Sequence, residues 1–159
     1  MANKYIVYAD GACSNNQDAE KRIGAYGAVI FKKVEGGAIK KDMSKLCPGS
    51  TNNQMELMGV IDALKEILRI DPEMPEVIIR SDSQYVVKGV TLWLEGWKAK
   101  GWKIKGGEII KNKDMWVELD SILKKVKYSF EKVVGDGDNK WNAHCDVLAR
   151  NLCGSKPKR

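Results

Sequence analysis

The sequence is poor in histidine, and its cysteines are not spaced for metal. Among 159 residues there is one histidine, His144, and the four cysteines, Cys13, Cys47, Cys145 and Cys153, form no Cys-x-x-Cys pair. A zinc site of the usual Cys/His kind needs three or four such ligands in close groups, so the sequence argues against one. A disulfide framework is equally out of character for a chain of this size with no secretory features, and the thiols read as reduced and structural. No stretch approaches the roughly 20 apolar residues of a membrane span. Met1-Ala2-Asn3-Lys4 leads straight into a strand with no apolar leader core before it, so the expectation is a cytoplasmic protein that stays off the membrane. Internal repeats and domain-sized linkers are absent too. The chain reads as one domain over 1–153 with a short basic tail at 154–159.

What is present is an uneven charge. The net charge is +6, yet residues 98–113 carry six lysines against the single acid Glu108, and the tail Lys156-Pro157-Lys158-Arg159 adds three more cations. The remainder of the chain is therefore net negative. A local basic patch on an otherwise acidic protein points to a polyanionic partner; a merely solubilising run is the plainer alternative.

Four carboxylates stand in unexpected places. Asp10 closes the apolar run Tyr5-Ile6-Val7-Tyr8-Ala9, and Asp82 follows Val77-Ile78-Ile79. Glu56 and Asp146 lie beside the apolar faces of two expected helices. A lone buried carboxylate costs several kcal/mol or takes up a proton. A group of them is tolerable when a cation holds it, and a divalent metal is the usual one.

The elements follow from periodicity. Residues 4–10 read as a buried strand, 14–22 as a loop, and 23–34 with 38–47 as a hairpin turned at Glu35-Gly36-Gly37. Gly24 and Gly27 in its first arm suggest a bulge or a close backbone approach. A helix is expected over 52–69, with Leu57, Ile61, Leu64 and Leu68 at helical spacing. Glu56 aligns with Val60, Ala63 and Ile67, on an apolar flank rather than with Asp62 and Glu66. A short strand at 76–81 lacks alternation, as a strand covered on both faces does. The strand–helix–strand crossover allows 4–10 and 76–81 to be parallel neighbours, which would end Asp10 and Asp82 side by side, roughly 4.8 Å apart. Short helices at 83–90 and 91–100, an irregular basic loop at 101–111, a helix at 112–126, a strand at 128–134, a loop at 135–139 and a helix at 141–153 complete the chain.

These residues resemble a known family. Asp10-Gly11-Ala12-Cys13, Thr51-Asn52-Asn53-Gln54-Met55-Glu56-Leu57, Ser81-Asp82-Ser83-Gln84-Tyr85-Val86 and Cys145-Asp146-Val147-Leu148-Ala149-Arg150 resemble the blocks of a type 1, bacterial-type ribonuclease H. The segment from Trp93 to Lys103 looks like the basic protrusion of that family. The resemblance implies an α/β ribonuclease H-like fold: a five-stranded mixed sheet, antiparallel meander plus parallel strands, flanked by helices. It implies an endonuclease that hydrolyses the RNA strand of RNA–DNA hybrids to 5′-phosphate products, acting as a monomer. It further implies two Mg²⁺ ions, replaceable by Mn²⁺, on Asp10, Glu56, Asp82 and Asp146.

By the same resemblance Asn16, Asn52, Asn53 and Gln84 are minor-groove contacts, Cys13 approaches the backbone, and Thr51 and Asn112 form a phosphate pocket on the DNA strand. Amides suit that groove because they pair with 2′-hydroxyls and base edges. Trp93, Trp97 and Trp102 alternate with lysines, and the tryptophans are expected mainly to hold the segment while Lys98, Lys100 and Lys103 touch phosphates, with Trp93 beside them. The plainer roles are helix capping, by Asn52 or Asn53 at one helix and by Asp82 at another.

The chain departs from the family twice. Gln54 stands where a basic residue is frequent. The loop before the last helix has Asp136 where many members have a histidine, so Asp136 is expected to assist product release, with Asp138 nearby; a solvated acidic turn is its plainer reading. Two other functions stay open: another metal nuclease on the same fold, such as a resolvase or integrase-like transferase, and a hybrid-binding domain without catalysis.

Overall fold

The structure, a computed structural model, describes residues 3–133 and 139–154. Asp136 and Asp138, like the tail beyond Gly154, lie outside the described residues. Five strands, β1 (Lys4–Ser14), β2 (Ile23–Val34), β3 (Gly37–Pro48), β4 (Glu76–Ser81) and β5 (Lys127–Lys132), form one sheet of order β3-β2-β1-β4-β5. The first three are antiparallel neighbours, and β4 and β5 run parallel to β1. The helices are α1 (Asn52–Ile70), α2 (Gln84–Lys88), α3 (Leu94–Ala99), α4 (Lys113–Leu123) and α5 (Lys140–Cys153). A π-helical turn, Gly89–Trp93, joins α2 to α3.

The expected mixed sheet is present, with one difference that matters. β1 does not stop at Asp10 but continues to Ser14, paired with β2 from Tyr5 to its end. Its pairing with β4 ends earlier, at Tyr8 and Arg80. Past that point β1 has lost its parallel neighbour, because β4 turns into α2, and the sheet opens. The same register carried two residues further sets Asp10 beside Asp82. Asp10 thus lies inside a strand by one pairing and at a sheet end by the other.

Helix α1 buries the face that its periodicity marks, including Leu57, Val60, Ile61, Ala63, Leu64 and Ile67, against β1 and β2. Truncating one of these fully buried leucines to alanine would cost about 2–5 kcal/mol. Its cap is neither asparagine: Thr51 caps it, accepting from the Gln54 N–H at 3.1 Å, while the Gln54 side chain accepts from the Thr51 N–H at 2.9 Å. This Thr-x-x-Gln capping box is written in the sequence. Similarly Ser83, not Asp82, caps α2.

Gly89 is required by packing: a Cβ there would sit 2.1 Å from the ring of the fully buried Trp116. That close approach draws the Gly89–Trp93 turn onto α4 and stacks Trp97 edge-on to Trp116, with ring centres 5.1 Å apart. The four cysteines are free thiols, as expected.

Candidate active site

Three of the four carboxylates meet. Asp10, Glu56 and Asp82 each offer an oxygen, and these oxygens all lie within 4.8 Å of one another. Asp10 is fully buried and Glu56 nearly so. Asp10 comes from β1, Glu56 from the first turns of α1, and Asp82 from the residue after β4. The approach of α1 to β1 depends on Gly11, where a Cβ would fall 2.8 Å from the Glu56 backbone nitrogen. Gly27 similarly lets α5 close on β2, since a Cβ there would lie 2.2 Å from the Cys145 carbonyl oxygen. That outcome matches the close approach expected of the glycine-bearing strand.

Neighbouring groups fix the carboxylates. The Gly11 N–H donates to Asp10 Oδ1 at 3.0 Å. Asn142, on the first turn of α5 and 3% exposed, donates through Nδ2 to Asp82 Oδ2 at 3.2 Å. Asp146 is also buried, one turn further along α5, but it is not one of the three converging acids; its Oδ2 accepts from Arg150 Nε at 2.7 Å. The Cys145 thiol beside it donates to the Tyr8 carbonyl, and burial, then the negative charge of Asp10, pushes its pKa well above the usual thiol range. It is an inert neutral donor. His144 faces the other way and pairs with Asp42 of β3 at 2.9 Å.

A second group forms beside the first. Asn16, Thr51, Asn52, Asn53 and Asn112 line one cleft of about 420 Å³ together with Arg22 and Lys111. Asn16 Oδ1 accepts from the Asn52 N–H at 3.0 Å, tying the loop after β1 to the start of α1. Gln54 does not replace the absent basic residue; its Nε2 donates to Asn112 Oδ1 at 3.1 Å. Asn112 occupies a left-handed conformation (φ 60°), which asparagine tolerates better than most residues. Its Nδ2 and the Trp116 indole both donate to the Tyr85 hydroxyl, at 3.1 and 2.9 Å. Sequence reasoning missed Arg22, Trp116 and Asn142, which sit in no motif; it counted Lys111 only as one of the patch lysines, and gave Tyr85 no role although it lies within the Ser81–Val86 block.

The remaining expected residues are dispersed. Gln84 is exposed at the start of α2, and the Cys13 thiol donates to the Ser50 carbonyl at 3.3 Å. Lys98 bonds to Asp120 of α4 at 3.2 Å and to Glu95 at 3.4 Å, so it braces its segment. Lys100 and Lys103 are exposed, and Trp93 leans on Trp97 with ring centres 5.9 Å apart.

The RNase H family model matches residues 2–153. The chain belongs to the ribonuclease H family. It is 41% identical over 147 residues to a ribonuclease H of Clostridium botulinum, covering 92% of this chain and 93% of that one. A ribonuclease H of Prosthecochloris aestuarii is 36% identical over 151 residues, with 94% and 95% covered. Among solved structures, LC9-RNase H1, described as a type 1 RNase H with the type 2 active-site motif, superposes with a TM-score of 0.86 at 29% identity, covering 97% of this chain and 74% of that one. The converging acids Asp10, Glu56 and Asp82 are the candidate active site of this family member. Among the described residues no helix is long and apolar enough to cross a membrane.

Proposed function

We propose that the chain is an endoribonuclease that hydrolyses the RNA strand of RNA–DNA hybrids and leaves 5′ phosphates. The observation that carries this reading is the convergence of Asp10, Glu56 and Asp82 beside an amide-lined, cationic cleft in a member of the ribonuclease H family. The relatives in Clostridium and Prosthecochloris carry the name ribonuclease H, and a more distant solved structure of the fold, LC11-RNase H1, was determined with an RNA/DNA hybrid.

The donor set fits a hard divalent cation. Three carboxylate oxygens within 4.8 Å, all oxygen and mostly buried, suit Mg²⁺ or Mn²⁺ and not a soft metal. Asp10, Glu56 and Asp82 would hold it, with Asp146 a fourth donor once Arg150 shares its oxygen. Two such ions, when bound, supply an activated water and stabilise the leaving 3′ oxygen.

The chain's own residues do the rest. The Gly11 amide and Asn142 hold Asp10 and Asp82 in one orientation, which preserves the donor geometry between turnovers. Asn16, Asn52, Asn53 and Gln84 are read as the amides that distinguish 2′-hydroxyls, with Cys13 close to the backbone. Thr51 and Asn112 seat a phosphate. Lys100 and Lys103, flanked by Trp93, meet the phosphates beyond it, and Lys98 holds that segment on α4. The residues named here all belong to one chain, which supports action as a monomer.

Labelled hybrid, single-stranded RNA, duplex RNA and duplex DNA, each with and without Mg²⁺, test the reading. Cleavage confined to the RNA of the hybrid and dependent on the metal supports it. Preferential cutting of duplex DNA would assign the chain to another nuclease activity of the fold. Hybrid binding without cutting would make it a binding domain.

A further inference from the structure

The cleft at the start of α1 has a cation that neither the motifs nor the relatives' names assign. Arg22 precedes β2, on the loop that leaves β1. It lines the cleft with Asn16, Thr51 and Asn112. Its backbone is pinned on both sides: the N–H donates to the Asp18 carbonyl at 2.9 Å and its carbonyl accepts from the Gly49 N–H at 3.0 Å. Its Nη1 reaches the Asn16 carbonyl at 3.5 Å, a marginal hydrogen bond. Its Nε is buried and has no hydrogen-bond partner among the described residues. A guanidinium nitrogen taken out of water without an acceptor is costly, and among the described residues the cleft that Arg22 lines contains no carboxylate to pair with it.

Helix α1 cannot provide the charge itself. Gln54, the residue of its first turn nearest Asn112, is neutral, and its side chain is committed at both ends, to the Thr51 amide and to Asn112. The cations of the cleft therefore come from outside α1: Arg22 from the loop after β1, and the exposed Lys111 from before α4. Of the two, Arg22 is the one held in place, and a planar fork of donors matches a phosphate better than a flexible ammonium does.

We propose that Arg22 is the charged ligand of one backbone phosphodiester of the bound nucleic acid. In doing so it also positions Asn16. The phosphate draws the guanidinium to the cleft, the guanidinium holds the Asn16 carbonyl, and the Asn16 side chain holds the Asn52 amide. The inference rests on the hybrid reading only for the ligand that fills the cleft.

Binding rather than cleavage tests it, so that its failure is separable from failure of the proposed activity. Fluorescence anisotropy without metal gives Kd for a hybrid in which one neutral methylphosphonate is moved along each strand in turn. One position should weaken binding by the parent protein, and Arg22→Ala should weaken binding of the unmodified hybrid by about tenfold, the lower range for a charge-assisted bond. At that position the two losses should not add: Arg22→Ala should bind modified and unmodified hybrid alike. Arg22→Lys should recover part of the loss. The slope of log affinity against log salt should become shallower in Arg22→Ala by about 0.9, one phosphate's worth. A variant that merely disturbs the loop would weaken every methylphosphonate hybrid by the same factor. That additive result, or a parent protein indifferent to all the substitutions, overturns the proposal.

Discussion

Asn142 Nδ2 donates to Asp82 Oδ2 at 3.2 Å, joining the first turn of the last helix to the carboxylate at the end of β4. The two residues are 60 apart in sequence, and Asn142 is itself held by Asn139, which caps α5 by accepting from the Trp141 and Asn142 amides at 3.0 Å. A ligand held by an outer partner keeps its aim between turnovers, and loss of such partners typically costs 10- to 100-fold in metal affinity or activity.

Asn142→Ala should therefore lower kcat/KM for hybrid by roughly 10- to 100-fold, partly restored at high metal concentration. Asn142→Asp should be worse, since it adds a negative charge beside Asp82. Steady-state rates across a Mg²⁺ titration check this. Parent activity in Asn142→Ala would mean that Asp82 is oriented without it.

The lysines of the basic segment should divide into two kinds. Lys98 is tied to Asp120 and Glu95, and these neighbours raise its pKa, the Asp120 hydrogen bond most of all. Lys98→Ala should loosen the packing of α3 on α4 and lower Tm. Lys100→Ala with Lys103→Ala should leave Tm unchanged but raise KM more than it lowers kcat, because charges that bind ground and transition states alike act on KM. The salt slope of binding should flatten by up to about 0.9 for each phosphate that is no longer neutralised. An unchanged slope would make the patch a solubilising surface.

Glu66 provides a pH test of the fold. Its carboxylate lies between Arg69 and Lys41, and these hydrogen bonds, Arg69 first, lower its pKa from 4.5 to about 2. A depressed carboxylate contributes stability that is present above its unfolded pKa and lost as pH falls through the folded one. The stability difference between the parent and Glu66→Gln should thus be steady at neutral pH and shrink from about pH 4.5 toward pH 2. Denaturation at a series of pH values measures it; a difference independent of pH would place the effect in packing.

Much of this is legible in the sequence, for definite reasons. Apolar periodicity locates α1, and the position of Glu56 on its apolar flank gives away its burial. The crossover between β1 and β4 allows the two strands to be parallel neighbours with Asp10 beside Asp82, and the parallel register and the converging oxygens bear this out. The continuation of β1 to Ser14 is hidden because Asp10-Gly11 looks like a turn, whereas here the glycine serves the approach of α1. The Thr51 capping box is legible too, but the asparagines beside it are equally good caps on paper and draw the assignment away. Most partners of the site are not legible. Nothing in the sequence couples Gln54 to Asn112 or Tyr85 to Trp116, since each depends on how separate elements pack; Arg150 and Asp146, four apart on α5, are the one pair that helical spacing offers.

The most direct test of the central claim is the turnover of Asp10→Asn on labelled hybrid, measured with its hybrid affinity and Tm. The side chain keeps its shape and loses its charge, so the carboxylate group forfeits a metal ligand while the fold is untouched. Cleavage should fall to background, with affinity within a few-fold of the parent and Tm equal or higher in the absence of Mg²⁺, because like charges no longer repel. Near-parent cleavage by Asp10→Asn would contradict the account and remove the converging carboxylates from the chemistry.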